Sequence, residues 1–84
     1  MKLLFSEHGW DDYLYWQRSN RATLRRINAL IKDIQRDPRR GIGKPEALRH
    51  GLSGFWSRRI NEEHRIVYKV DGDTVLIAQL RYHY

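Results

Sequence analysis

Gly54-Phe55-Trp56-Ser57-Arg58-Arg59-Ile60-Asn61-Glu62-Glu63-His64-Arg65-Ile66-Val67-Tyr68 reads as two β-strands meeting at a tight polar turn. If the loop is Asn61-Glu62-Glu63, antiparallel pairing sets Arg59 opposite Arg65, with Ser57 facing Val67 on the same side. A shorter turn at Glu62-Glu63 would pair Ile60 with Arg65 instead. Like charges directly opposite each other destabilise a strand pair. The arrangement is best tolerated when an anion, from a ligand or a nearby carboxylate, lies between the guanidinium groups, whose planar forks suit phosphate. The alternative is a solvated strand face carrying ordinary surface arginines.

Working toward the C-terminus, Val70-Asp71-Gly72-Asp73-Thr74 is a hairpin signal, since Asp-Gly suits positive φ. The strand from Thr74 to about Tyr82 opens with the apolar run Val75-Leu76-Ile77-Ala78, as expected of a strand well inside a sheet. The chain ends Arg81-Tyr82-His83-Tyr84. The length of the Asp71-Gly72 turn decides which of His83 and Tyr84 shares a face with Arg65.

Toward the N-terminus, the stretch from Arg39 to Gly51 reads as a loop, in which Lys44 and Arg49 bracket one carboxylate, Glu46. The G-x-x-x-x-G-K-[ST] spacing of a phosphate-cradling loop is absent. Asp37-Pro38 ends a helix that starts after Ser19-Asn20, where either side chain can cap. Leu24, Ile27, Leu30, Ile31 and Ile34 give that helix an apolar stripe, and its arginines fall on other faces. An earlier helix starts at Ser6-Glu7, with Trp10, Tyr13 and Leu14 expected to bury while Asp11 and Asp12 stay wet. Lys2 to Phe5 is fit for a strand. The expected fold is α+β: an N-terminal strand and two helices packed on one face of a largely antiparallel sheet, with the arginine face left open.

Eighty-four residues allow one small domain, expected to span 1–84. The chain has no cysteine, so neither a disulfide framework nor a thiolate metal site can hold it. No apolar run approaches the length of a signal segment or a membrane span, so a soluble cytoplasmic chain is expected. A formal net charge of +6, spread over helix, loop and strand, points to nucleic acid or an acidic protein as partner.

The four histidines are not spaced as ligand pairs. What the chain offers is a carboxylate (Glu46), a histidine (His83) and arginines (Arg49, Arg59, Arg65), the minimal equipment for metal-free RNA cleavage. A base takes the proton from a ribose 2′-OH, an acid protonates the leaving 5′-oxygen, and fixed cations stabilise the phosphorane. DNA lacks the 2′-OH and would be spared.

Four blocks in order, Gly43-Lys44-Pro45-Glu46-x-Leu48, Leu52-Ser53-Gly54-x-Trp56-Ser57-Arg58-Arg59-Ile60, Glu63-His64-Arg65-x-Val67-Tyr68 and Arg81-Tyr82-His83-Tyr84, resemble the YoeB toxins. These belong to the RelE-like superfamily of bacterial type II toxin–antitoxin modules. The resemblance implies an endoribonuclease that cuts mRNA in the ribosomal A site, needs no cofactor, and is neutralised by a YefM-type antitoxin. A second copy of the chain is a further candidate partner. Carried over by position, Glu46 is the general base, His83 the general acid, Arg65 the phosphate-stabilising cation, Tyr84 a nucleotide contact, and Arg59 a supporting cation. Lys44, Arg49 and Arg58 are expected to contact RNA. Arg49 stands where the family suggests lysine, and Gln79-Leu80 where it suggests small residues, a difference expected to bear on packing. The competing reading is a non-catalytic toxin of the ParE type, with a protein such as gyrase as target, or a basic nucleic-acid-binding module.

Overall fold

The computed structural model describes residues 1–83. In chain order it comprises β1 (Lys2–Phe5), α1 (Glu7–Ser19), α2 (Arg21–Arg36), β2 (Glu46–Ala47), a 3₁₀ turn at His50–Leu52, β3 (Phe55–Arg59), β4 (Arg65–Asp71) and β5 (Thr74–Gln79). The five strands form one sheet in the order β1-β5-β4-β3-β2. Only β1 runs parallel to its neighbour, β5, and the other pairings are antiparallel. The α+β architecture expected from the pattern is therefore present, with both helices on one side.

Each helix begins where a side chain satisfies its free amides. Ser6 Oγ accepts from Gly9 N at 3.0 Å, and Asn20 Oδ1 accepts from Thr23 N at 3.0 Å. On α2, Ile27, Leu30, Ile31 and Ile34 are buried, as the stripe predicts. They pack with Trp16, Ile60, Ile66, Tyr68, Val75, Ile77 and Leu80 into one core. A fully buried side chain of this kind contributes about 1.5–3 kcal/mol, and with no cross-link available these residues carry the fold.

The buried side of α1 differs from expectation. Gly9, Asp12 and Trp16 face inward, whereas Trp10 is 47% exposed and stacks on Tyr13 beside Phe5. The reason is close approach: a Cβ on Gly9 would stand 2.3 Å from the Ile77 carbonyl oxygen, so only glycine lets α1 lie this near β5. That proximity turns Asp12 toward the chain end, where its carboxylate accepts a buried hydrogen bond from Leu80 N.

The β3–β4 hairpin has the longer of the two loops considered. Arg59 pairs with Arg65 and Ser57 with Val67, and Ile60 N donates to His64 O at 3.0 Å across the three residues between. Asn61 Oδ1 accepts from the amides of Glu63 and His64, which fixes the turn. The second hairpin turns one residue later than expected, at Gly72-Asp73, because Asp71 pairs with Thr74. Further on, Tyr68 pairs with Ile77 but Val67 pairs with Gln79, so Ala78 is an extra residue, a β-bulge. The bulge keeps Ile77 in the core and turns Gln79 to the opposite face. The strand ends there, three residues short of Tyr82, so alternation along β5 does not decide the face on which His83 lies.

Candidate active site

Alternation along β3 separates two adjacent arginines. Arg58 points to the helix side and is fully buried, while Ser57 and Arg59 point to the other face. Directly paired residues share a face, so Glu46, opposite Ser57, and Arg65, opposite Arg59, stand on that face too. Val67 and Gln79 continue the row from Ser57. Ser57 and Val67 are each 3% exposed and form a closed floor among longer polar side chains. Same-face residues along a strand are about 7 Å apart, which places Glu46 within reach of the arginine pair.

Glu46 arrives there through a short strand that the sequence concealed as loop. Gly43 and Lys44 both adopt left-handed backbone, with φ of 79° and 54°. The strain at Lys44 is held by its neighbours, since Arg59 N donates to Gly43 O at 2.7 Å and β2 pairs immediately afterwards. Glu46, Lys44 and Arg49 are all exposed, and a hollow of about 330 Å³ lined by Glu46, Leu48, Arg49, His50 and Leu52 lies alongside. A larger apolar groove between Leu3, Phe5, Trp10, Tyr13 and Ile31 lies on the helix side, away from these groups.

Arg65 is half-buried and braced by its own hairpin. Its Nη1 donates to the carbonyls of Asn61 at 2.7 Å, His64 at 3.1 Å and Glu62 at 3.3 Å. This leaves the remaining guanidinium donors for a ligand, in a fixed orientation. Among the described residues, no carboxylate forms an ion pair with Arg59 or Arg65. Of the two anion sources considered for the pair, a nearby carboxylate is therefore not seen.

His83 follows a segment that leaves β5 and folds back onto β4. Arg65 N donates to Tyr82 O at 3.0 Å, which joins the chain end to the strand bearing the central arginine. His83 itself is exposed. Tyr84, expected to touch a nucleotide, lies outside the described residues.

Arg58 does not fit the RNA contact expected of it. Its Nη1 donates to Asp33 Oδ2 at 2.5 Å and Ile42 O at 3.1 Å, its Nη2 to Asp37 O at 2.6 Å and Arg40 O at 3.1 Å, and its Nε to Tyr68 Oη at 3.2 Å. A guanidinium has five N–H donors, and all are used. Arg58 thus ties the loop after α2 to the sheet. The Ile42 amide and then the Arg58 guanidinium hold the Asp33 carboxyl down at about 2, and burial pushes the Tyr68 phenol up.

Four residues around the chain end had no signal as site residues in the sequence: Asp12, Trp16, His64 and Gln79. Each bonds the segment from Leu80 to His83, through Asp12 Oδ2, Trp16 Nε1, His64 Nδ1 and Gln79 Nε2. The departure at Gln79-Leu80 divides accordingly: Leu80 packs in the core, whereas Gln79 bonds backbone.

The structure thus sets two helices over a mixed five-stranded sheet whose free face gathers arginines and a carboxylate. Over residues 5–84 the chain matches the family described as the YoeB-like toxin of bacterial type II toxin–antitoxin systems, and it belongs to that family. It is 62% identical to toxin YoeB of Escherichia coli K12 across 84 residues, all of both chains. Among solved structures it is similar to a YoeB/ParE toxin from Agrobacterium tumefaciens, with TM-score 0.97, 45% identity and full coverage of both chains. It is likewise similar to Staphylococcus aureus YoeB, solved in complex with YefM (46% identity) and as a dimer (45%), each with TM-score 0.92 and covering 100% of this chain and 98% of that one.

Proposed function

We propose that this chain is a ribosome-dependent mRNA endonuclease that cleaves in the ribosomal A site by 2′-OH attack, without a metal ion in the reaction. Glu46 takes the 2′-OH proton, the 2′-oxygen attacks phosphorus, the bond to the 5′-oxygen breaks, and His83 supplies that oxygen's proton. Arg65, with Arg59 beside it, stabilises the charge gathering on the phosphorane oxygens. Lys44 and Arg49 hold flanking phosphates, and Tyr84 contacts a nucleotide. The reading requires a compartment in which ribosomes translate; among the described residues no helix is long and apolar enough to cross a membrane.

The observation that supports this best is the common face of Glu46, Arg59 and Arg65, with the His83 segment bonded back to Arg65. A base, a paired cation site and an acid on the segment beside them are the groups that this reaction needs. A YefM-type antitoxin with an acidic binding segment suits the +6 charge, and a second copy of the chain is the other partner the S. aureus structures support.

Single-turnover cleavage on programmed ribosomes, with mapped mRNA ends, tests the assignment. Glu46→Gln and His83→Gln should each lose roughly a hundredfold to ten-thousandfold while still binding ribosomes. Arg65→Ala should lose roughly a hundredfold to a thousandfold, with weaker binding too. Wild-type cutting by both the Glu46 and His83 variants would end the acid–base reading.

A further inference from the structure

We propose that Gln79 and His64 are positioning residues that clamp the C-terminal segment from two sides and so fix where His83 stands. This rests on the reading of His83 as general acid.

A chain end normally frays, because few bonds oppose its conformational freedom. Here β5 stops at Gln79, and the segment beyond it has left the sheet ladder. Its backbone is nonetheless bonded at nearly every residue. Leu80 is anchored at both polar groups: its amide donates to Asp12 Oδ2 at 2.9 Å, and its carbonyl accepts from Trp16 Nε1 at 2.9 Å. These bonds fix where the segment starts. They do not fix its direction three residues later.

Direction is set by the next contacts. The Tyr82 amide donates to His64 Nδ1 at 2.7 Å, which requires a bare Nδ1 on that ring. His64 is itself held, 8% exposed, edge-on to Trp16 with its Nε2 3.5 Å from Glu63 Oε1. From the other side, the bulge at Ala78 turns Gln79 so that its Nε2 donates to Arg81 O at 2.7 Å and His83 O at 2.9 Å. One amide group therefore uses both its hydrogens to close a loop over the residues flanking Tyr82. The Arg81 guanidinium lies 3.6 Å over the Tyr15 ring and braces the same turn.

The clamp explains a strained residue. Tyr82 has φ of 60°, left-handed backbone that a bulky residue seldom adopts. Such a conformation persists only where its surroundings over-determine it. The Tyr82 carbonyl would stay tied to Arg65 N, but without the bonds at Tyr82 N, Arg81 O and His83 O nothing holds the left-handed turn from the other side, and His83 would leave its position. A misplacement near 1 Å can cost about a hundredfold in rate.

The experiment compares Gln79→Met, which keeps length without a donor, with His64→Leu, which removes the acceptor, and His64→Asn, whose Oδ1 stands in for Nδ1. Each is measured beside His83→Gln in single-turnover cleavage on programmed ribosomes, and by amide hydrogen exchange at Tyr82 and His83. Gln79→Met and His64→Leu should cut roughly tenfold to a hundredfold more slowly. Half-saturating ribosome concentration should stay within about twofold, since the clamp acts on the acid and not on binding. His64→Asn should recover most of what His64→Leu loses, and exchange at Tyr82 and His83 should quicken in the two damaged variants. If His64→Leu does not fold, Gln79→Met decides alone.

Wild-type cleavage by Gln79→Met while His83→Gln is defective would overturn the proposal and leave the acid assignment standing. Equal loss in His64→Asn and His64→Leu would remove His64 from it. Wild-type cleavage by His83→Gln would instead overturn the acid assignment, and the clamp's catalytic role with it.

Discussion

Arg59 and Arg65 stand directly opposite each other on β3 and β4, and among the described residues neither has an ion-pair partner. Like charges so placed repel, at a cost of up to about 1 kcal/mol relative to neutral pairs. The hairpin tolerates them because the residue that follows each, Ile60 and Ile66, is buried in the core, and Asn61 holds the turn. Stability thus comes from one face of the hairpin and charge from the other.

Removing one member of the pair should therefore not weaken the fold. Arg59 is exposed, and its backbone bonds, to Gly43 O and from Arg26 Nη2, survive substitution. Arg59→Ala should leave the unfolding free energy unchanged or raise it by about 0.2–1 kcal/mol, read from urea midpoints at constant slope. A loss beyond about 1 kcal/mol would show that the pair is not repulsive in the free protein.

Asp33 sets an acid limit on stability. Its carboxyl titrates near 3.8 ordinarily and near 2 in the fold, held down first by the Ile42 amide and next by Arg58. Between those values the unfolded chain binds the proton and the folded chain does not, so stability rises with pH. The contribution is complete above about pH 4 and is lost as pH falls toward 2. Asp33→Asn should flatten that limb of a stability-against-pH curve and lower the plateau at neutral pH. An unchanged slope between pH 4 and 2 would refute the assignment.

Periodicity made α2 legible, because its stripe depends only on neighbours three and four residues apart. The strands and the Arg59–Arg65 register were legible for a similar reason: alternation and turn chemistry are local. Glu46 and His83 stood out by residue type, but their roles as base and acid came only through resemblance, since a two-residue β2 and a segment beyond β5 have no period to read. The setting of the chain end was invisible. Asp12 looks like a wet helix carboxylate until Gly9 brings α1 onto β5, and its bond to Leu80 spans 68 positions. Gln79 looks like a packing change until the bulge at Ala78 reverses its face. Adjacent Arg58 and Arg59 could be told apart only by knowing which side the helices cover.

That last distinction can be measured. Neutralising a phosphate of a single strand releases counterions, and log K falls with log salt by roughly 0.7 for each such contact. Arg59 is exposed on the free face, so Arg59→Ala should lower the salt slope for a short oligoribonucleotide by about that amount. Arg58 is fully buried with every donor bonded inside the protein, so it has nothing to offer a phosphate. Arg58→Met should leave the slope unaltered. It should instead destabilise the fold by about 3–5 kcal/mol, because it strips a buried ion pair of one partner and leaves loop carbonyls without donors. Binding is therefore compared at a temperature where circular dichroism shows both variants folded. Equal slope changes in the two would mean that Arg58 leaves its buried site to meet RNA, and the assignment of one arginine to structure and the other to the ligand would fail.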